Sequence, residues 1–120
     1  MKIAVTCAGG DPSAPLDSRF GRAAAFLLFD TDTKEYQTID NTQNLQAAQG
    51  AGVQAAQNVA TAGAEVLLTG HVGPKAFQVF QAAKIRVYLA ENQTVQEAVD
   101  AFQAGKLVEL HAADRAGHWD

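Results

Sequence analysis

Glu65-Val66-Leu67-Leu68-Thr69-Gly70-His71-Val72-Gly73-Pro74-Lys75-Ala76 decides the fold of this chain. Glu65 to Thr69 is a short apolar run that stops at a glycine, the pattern of a buried strand. Gly73-Pro74 then opens a helix, with proline at the first helical position, where its missing N–H costs nothing. The core face of that helix is expected to be Ala76, Phe77, Phe80 and Ala83. A buried strand passing through a tight turn into a helix is the repeating step of an α/β protein.

The same step recurs on both sides. Upstream, Val53, Ala56, Val59 and Ala60 fall on one helical face, with Gln54, Gln57, Asn58 and Thr61 opposite. Small residues on the apolar face let such a helix lie close against a sheet. Downstream, Ile85 to Leu89 alternates as an edge strand should. Thr94-x-x-Glu97 then forms a capping box before Val95, Ala98, Val99 and Phe102, and Gly105 closes that helix. The N-terminal third is different. Ile3 to Cys7 is a buried strand ending at Gly9-Gly10, and Asp11 to Arg22 is a long polar loop. Ala24 to Asp30 and Glu35 to Asp40 are strands joined by the turn Thr31-Asp32-Thr33-Lys34, so they should pair antiparallel.

The resulting order, β-β-β-α-β-α-β-α, predicts one α/β domain with a mixed five-stranded sheet covered by helices. Right-handed crossovers place the fourth and fifth strands parallel to the first. Residues from Leu107 onward read as a tail.

Composition narrows the function. The chain has 120 residues, 48% hydrophobic and 18% charged, with a formal net charge of −4. Nine basic residues spread along the chain make no phosphate-backbone footprint, so no nucleic-acid partner is expected. A single cysteine, Cys7, excludes an internal disulfide, a four-cysteine zinc site and a cluster held by four thiolates. No apolar run approaches the ~18 residues of a membrane span. The expected setting is a reducing, cytoplasmic one.

Two stretches carry candidate chemistry. Ser18-Arg19-Phe20-Gly21-Arg22 sets two guanidinium groups beside a glycine and an aromatic ring, a combination able to cradle an anion. An ordinary surface loop, its arginines paired with Asp11 or Asp17, is the competing interpretation. Gly70-His71-Val72-Gly73-Pro74-Lys75 lies where a parallel strand meets a helix N-terminus, which favours anions. There Lys75 adds a positive charge and His71 is a candidate metal ligand or hydrogen-bond donor; a solvent-facing histidine in a tight connection is the alternative. Both stretches should lie at the carboxyl edge of the sheet, where open α/β proteins bind ligands. Gly50-Ala51-Gly52 follows a polar loop rather than a strand and lacks a dinucleotide fingerprint. Cys7 reads as a small core residue. His111, His118 and Trp119 sit in the tail without a fixed scaffold. No Ser–His–Asp or paired-carboxylate arrangement emerges, and a two-metal nuclease lacks its converging carboxylates. A small-anion or nucleotide-binding regulatory module remains an alternative that uses the same helix N-terminus.

Five segments follow one another at the spacings of one family: Arg19-Phe20-Gly21-Arg22-Ala23, Gly50-Ala51-Gly52, Gly70-x-x-Gly73-Pro74-Lys75-Ala76, Ile85-x-Val87-Tyr88 and Phe102-x-x-Gly105-x-Leu107. The chain resembles the dinitrogenase iron–molybdenum cofactor biosynthesis family over residues 1–108, with 109–120 as a C-terminal tail. Within that family it is similar to the small stand-alone orange-protein type of sulfate-reducing bacteria. The resemblance implies a ribonuclease-H-like three-layer α/β/α fold with a five-stranded mixed sheet. It also implies a non-enzymatic role in binding, storing or delivering an anionic molybdenum-containing metal–sulfide cluster. That cluster would be of molybdenum–copper–sulfide or iron–molybdenum cofactor type, held largely non-covalently, and a Mrp/MinD-type ATPase is an implied partner. Carried onto this sequence, Arg19, Arg22 and Lys75 supply positive potential, and Gly21, Gly70 and Gly73 bring backbone close. Phe20 covers an apolar flank, and His71 is the candidate metal ligand. Lys84 stands where family members commonly have glycine before the last strand.

Overall fold

The computed structural model describes residues 1–8, 11–17, 20, 25–40 and 51–111. The elements run β1 (Lys2–Cys7), β2 (Ala25–Asp30), β3 (Glu35–Asp40), α1 (Ala51–Thr61), β4 (Val66–Thr69), α2 (Pro74–Ala82), β5 (Arg86–Leu89), α3 (Val95–Gln103) and β6 (Val108–Leu110). All belong to one mixed sheet in the order β3-β2-β1-β4-β5-β6.

Successive strand residues point to opposite faces, and the central strands bury both. Ala4, Phe26, Leu28, Leu67 and Val87 pack with Ala55, Ala56 and Val59 of α1 and with Ala76, Phe77 and Phe80 of α2. Ile3, Val5, Leu27, Phe29, Val66 and Leu68 pack with Val95, Ala98 and Val99 of α3. Helices therefore cover both faces, and this double coverage explains why β1, β2 and β4 read as continuous apolar runs.

The hairpin expected at Thr31–Lys34 is present, with β2 and β3 antiparallel from Asp30↔Glu35 to Ala25↔Asp40. β4 runs parallel to β1, and β5 parallel to β4, as right-handed crossovers require. α2 begins at Pro74 after the N-cap Gly73. α3 carries the complete Thr94–Glu97 capping box. After α3, Gly105 takes φ +73°, a conformation that glycine adopts without strain.

Some expectations fail. Ala83, expected on the core face of α2, is instead its exposed C-cap, because the helix ends at Ala82 before another turn can carry the apolar face onward. The sheet has six strands rather than five, because Val108–Leu110 pairs antiparallel with β5. Three residues, Val108 exposed and Glu109 and Leu110 half-buried, carry too little periodicity to register as a strand. β5 is accordingly an interior strand, and its alternation reflects one exposed position, Arg86, rather than an edge. Lys84 adopts φ +60°, so the expected glycine position is one where the backbone turns left-handed.

Candidate functional site at the carboxyl edge of the sheet

Three connections meet where β1, β4 and β5 end. The segment after β1 starts on the α3 side. There Pro15 bridges Thr94, and Gln96 and Val95 N–H groups donate to the carbonyls of Pro12 and Ala14 at 2.9 and 3.1 Å. Leu16 is buried against the α3-side core, while Phe20, four residues on, is buried in the opposite core. The chain therefore crosses the sheet edge between them.

The crossing is pinned at Asp17. Its N–H donates to the Thr6 carbonyl at 3.1 Å. The Thr6 hydroxyl donates back to the Asp17 carbonyl at 2.6 Å, and the Thr69 hydroxyl lies 3.1 Å from that of Thr6. Both threonines are fully buried. A hydroxyl has one proton; with the Thr6 proton committed to Asp17, Thr69 must donate to Thr6. Two strand ends and the crossing loop are thus joined by one polar chain. Nearer β1, the Asp11 carboxylate accepts from the Ser13 hydroxyl and N–H, each at 2.7 Å. Those two hydrogen bonds hold its pKa below the ordinary aspartate value.

On the α3 side these connections enclose an open cleft of about 480 Å³, walled by Pro15, Leu16, His71, Glu91, Asn92, Gln93, Thr94 and Glu97. His71 Nε2 lies 3.3 Å from Glu91 Oε1. Glu97 is engaged locally, accepting from the Thr94 N–H at 2.8 Å in the capping box. Asn92, shortly after β5, takes φ +59°.

The structure separates the residues that the sequence grouped. His71 faces this cleft, whereas Lys75 is exposed in the first turn of α2 and does not line it. Gly70 and Gly73 are buried in the connection between β4 and α2. Phe20 departs from its expected place as an apolar flank: its ring is 1% exposed and packs on Phe26 at 5.3 Å and Phe80 at 5.0 Å. A ring so placed belongs to the core instead of covering a surface ligand. Arg19, Gly21 and Arg22 lie outside the described residues, as do His118 and Trp119. Cys7 is fully buried, as expected.

Glu91, Asn92 and Thr94 were missed as wall residues. Their signal was position: in a parallel sheet the segment after β5 must share the edge with those after β1 and β4. Among the described residues no group of three or more His, Cys, Asp or Glu side chains converges on one point. No helix among them is long and apolar enough to cross a membrane.

The family profile described as dinitrogenase iron-molybdenum cofactor matches residues 1–105. The apo form of the orange protein from Desulfovibrio gigas superposes with a TM-score of 0.93 at 43% identity, covering 95% of this chain and 96% of that one. A NifB-like protein of the DUF35 family from Thermotoga gives 0.85 at 37% identity, over 97% and 98% of the two chains. An uncharacterised protein from Methanocaldococcus jannaschii is 30% identical over 95 residues, 77% of this chain and 80% of its own length.

Proposed function

The chain belongs to the dinitrogenase iron-molybdenum cofactor family, and on that premise we propose that it binds an anionic molybdenum-containing metal–sulfide cluster as cargo, for storage or delivery. The observation that carries this reading is the open cleft at the carboxyl ends of three parallel strands, walled by the turn that bears His71. Similarity to the orange protein at 43% identity across nearly the whole of both chains supports it.

The described wall contributes carboxylates, Glu91 and Glu97, rather than cations. In this reading the attraction for a polyanion comes from Lys75 in the first turn of α2 and from Arg19 and Arg22, which flank Phe20 in the sequence. Guanidinium groups suit that task because each presents several donors in a fixed plane. Sulfides already satisfy the metals of such a cargo, so the protein's share is shape, amide donors, positive potential and at most a ligand such as His71. Cluster identity within this reading is molybdenum–copper–sulfide or iron–molybdenum–sulfide. We infer a carrier rather than a catalyst, working in the cytoplasm with an ATPase of the Mrp/MinD type. The ribonuclease-H-like description of the fold belongs to the same proposal, supported by the order β3-β2-β1-β4-β5 with β2 reversed.

Reconstitution tests it. Apo protein mixed with tetrathiomolybdate and copper should develop a protein-dependent charge-transfer spectrum, weakened in the Arg19→Ala/Arg22→Ala variant. A spectrum identical to that of the reagents alone refutes the copper form of the proposal. Elemental analysis of protein from its native source then separates copper from iron.

A further inference from the structure

His71 and Glu91 come from different connections, yet their meeting follows from the sheet. Thr69 and Leu89 are register partners in the parallel pair β4–β5, and each side chain lies two residues beyond its partner position. The ladder continues one step, with the Ala90 N–H donating to the Thr69 carbonyl at 2.8 Å. An imidazole and a carboxylate are thereby set side by side on the wall of the cleft by two adjacent strand ends.

At 3.3 Å the two groups form an ion pair when the imidazole is protonated, and the same separation admits a shared cation. Charge-assisted N–H···O bonds contract to roughly 2.7–2.9 Å, whereas His71 Nε2 and Glu91 Oε1 are 3.3 Å apart. A cation about 2.1 Å from each, the distance for zinc with nitrogen and oxygen ligands, subtends about 105° at that separation, close to tetrahedral. Ligands at a right angle around the same ion would stand only about 3.0 Å apart. The side chains are 16% and 38% exposed, so an ion can enter without the protein opening. No lysine or arginine is among the described residues lining the cleft, and Glu97 adds a second carboxylate. That lining favours a cation.

We propose that His71 and Glu91 form a half-open site for one borderline divalent cation of the zinc class. Imidazole with carboxylate is a donor set these ions accept. Two protein ligands leave two tetrahedral positions, which water fills in the free protein. Sulfide from a bound cargo can fill them instead; this last step rests on the cluster reading, whereas the ion site does not.

The test uses the full chain with zinc chloride alone, without molybdenum or sulfide, followed by calorimetry. Cobalt(II) in place of zinc reports four-coordination through its visible absorption. A His111→Ala/His118→Ala background removes the other two histidines and should leave the binding intact. In that background His71→Ala should abolish it, and Glu91→Gln should weaken it by about tenfold or more. Glu97→Gln should change it far less, since that carboxylate is held in the capping box. Zinc affinity indifferent to both His71→Ala and Glu91→Gln overturns the proposal, as does no binding at millimolar zinc, which would leave an ion pair only. Neither result bears on tetrathiomolybdate reconstitution, so the two proposals fail separately.

Discussion

The buried chain Thr69–Thr6–Asp17 makes a quantitative prediction about non-additivity. Thr6→Val keeps the shape of the side chain but removes the donor to the Asp17 carbonyl, 2.6 Å away, and the acceptor for the Thr69 hydroxyl, 3.1 Å away. Two polar groups then lose a partner, one in a fully buried residue. At about 1–3 kcal/mol per orphaned buried group, reduced for the carbonyl because it is only partly buried, the cost should be about 2–3 kcal/mol. Thr69→Val leaves the Thr6–Asp17 bond intact and deletes its own hydroxyl, so it should cost only about 1 kcal/mol. In the double variant the Thr69 hydroxyl is no longer present to be orphaned. The pair should therefore cost no more than Thr6→Val alone, a coupling of about 1 kcal/mol or greater. Urea unfolding of the four proteins measures this, with an unchanged m-value as the control for two-state behaviour. Costs that add within about 0.5 kcal/mol, or a larger cost for Thr69→Val than for Thr6→Val, refute the assigned direction of the chain.

Phe20→Ala should lose about 3–5 kcal/mol, because the ring is enclosed by Phe26 and Phe80 and little can collapse into its space. At roughly 4 °C per kcal/mol for a domain of this size, thermal unfolding should shift by more than ten degrees, and a shift of a few degrees contradicts the buried placement. Thr94→Ala removes the cap that accepts from the Glu97 N–H and should cost about 1 kcal/mol by chemical unfolding; Thr94→Ser should recover most of it. Burial, with a smaller contribution from the Asp100 carboxylate, raises the Tyr36 pKa above the ordinary tyrosine value. The stabilisation linked to this shift is fully present below the unfolded-state pKa of about 10 and is lost as pH rises through the folded value. Ultraviolet titration of the Tyr88→Phe variant isolates Tyr36, and a midpoint at or below the ordinary value contradicts the assignment.

Much of the scaffold was legible because its signals are local. The Thr31–Lys34 turn, Pro74 at a helix start, the Thr94–Glu97 box and Gly105 each act within a few residues, and each stands where its chemistry placed it. The crossover rule then carried β4 and β5 into parallel alignment with β1. Phe20 shows the limit: beside two arginines and a glycine, an aromatic residue reads equally as ligand contact or as anchor. Only the position of Phe26 and Phe80 decides between them.

The sequence by itself determined the first eight elements, the hairpin and the parallel core, since periodicity, caps and crossover handedness need no knowledge of distant contacts. Tertiary structure alone decided that three residues after α3 complete a sixth strand, that Thr69, Thr6 and Asp17 form one polar chain, and that Glu91 stands beside His71. The physical reason is register: which residues face one another across a parallel pair depends on how two separate strands align, and neither strand encodes that alignment alone.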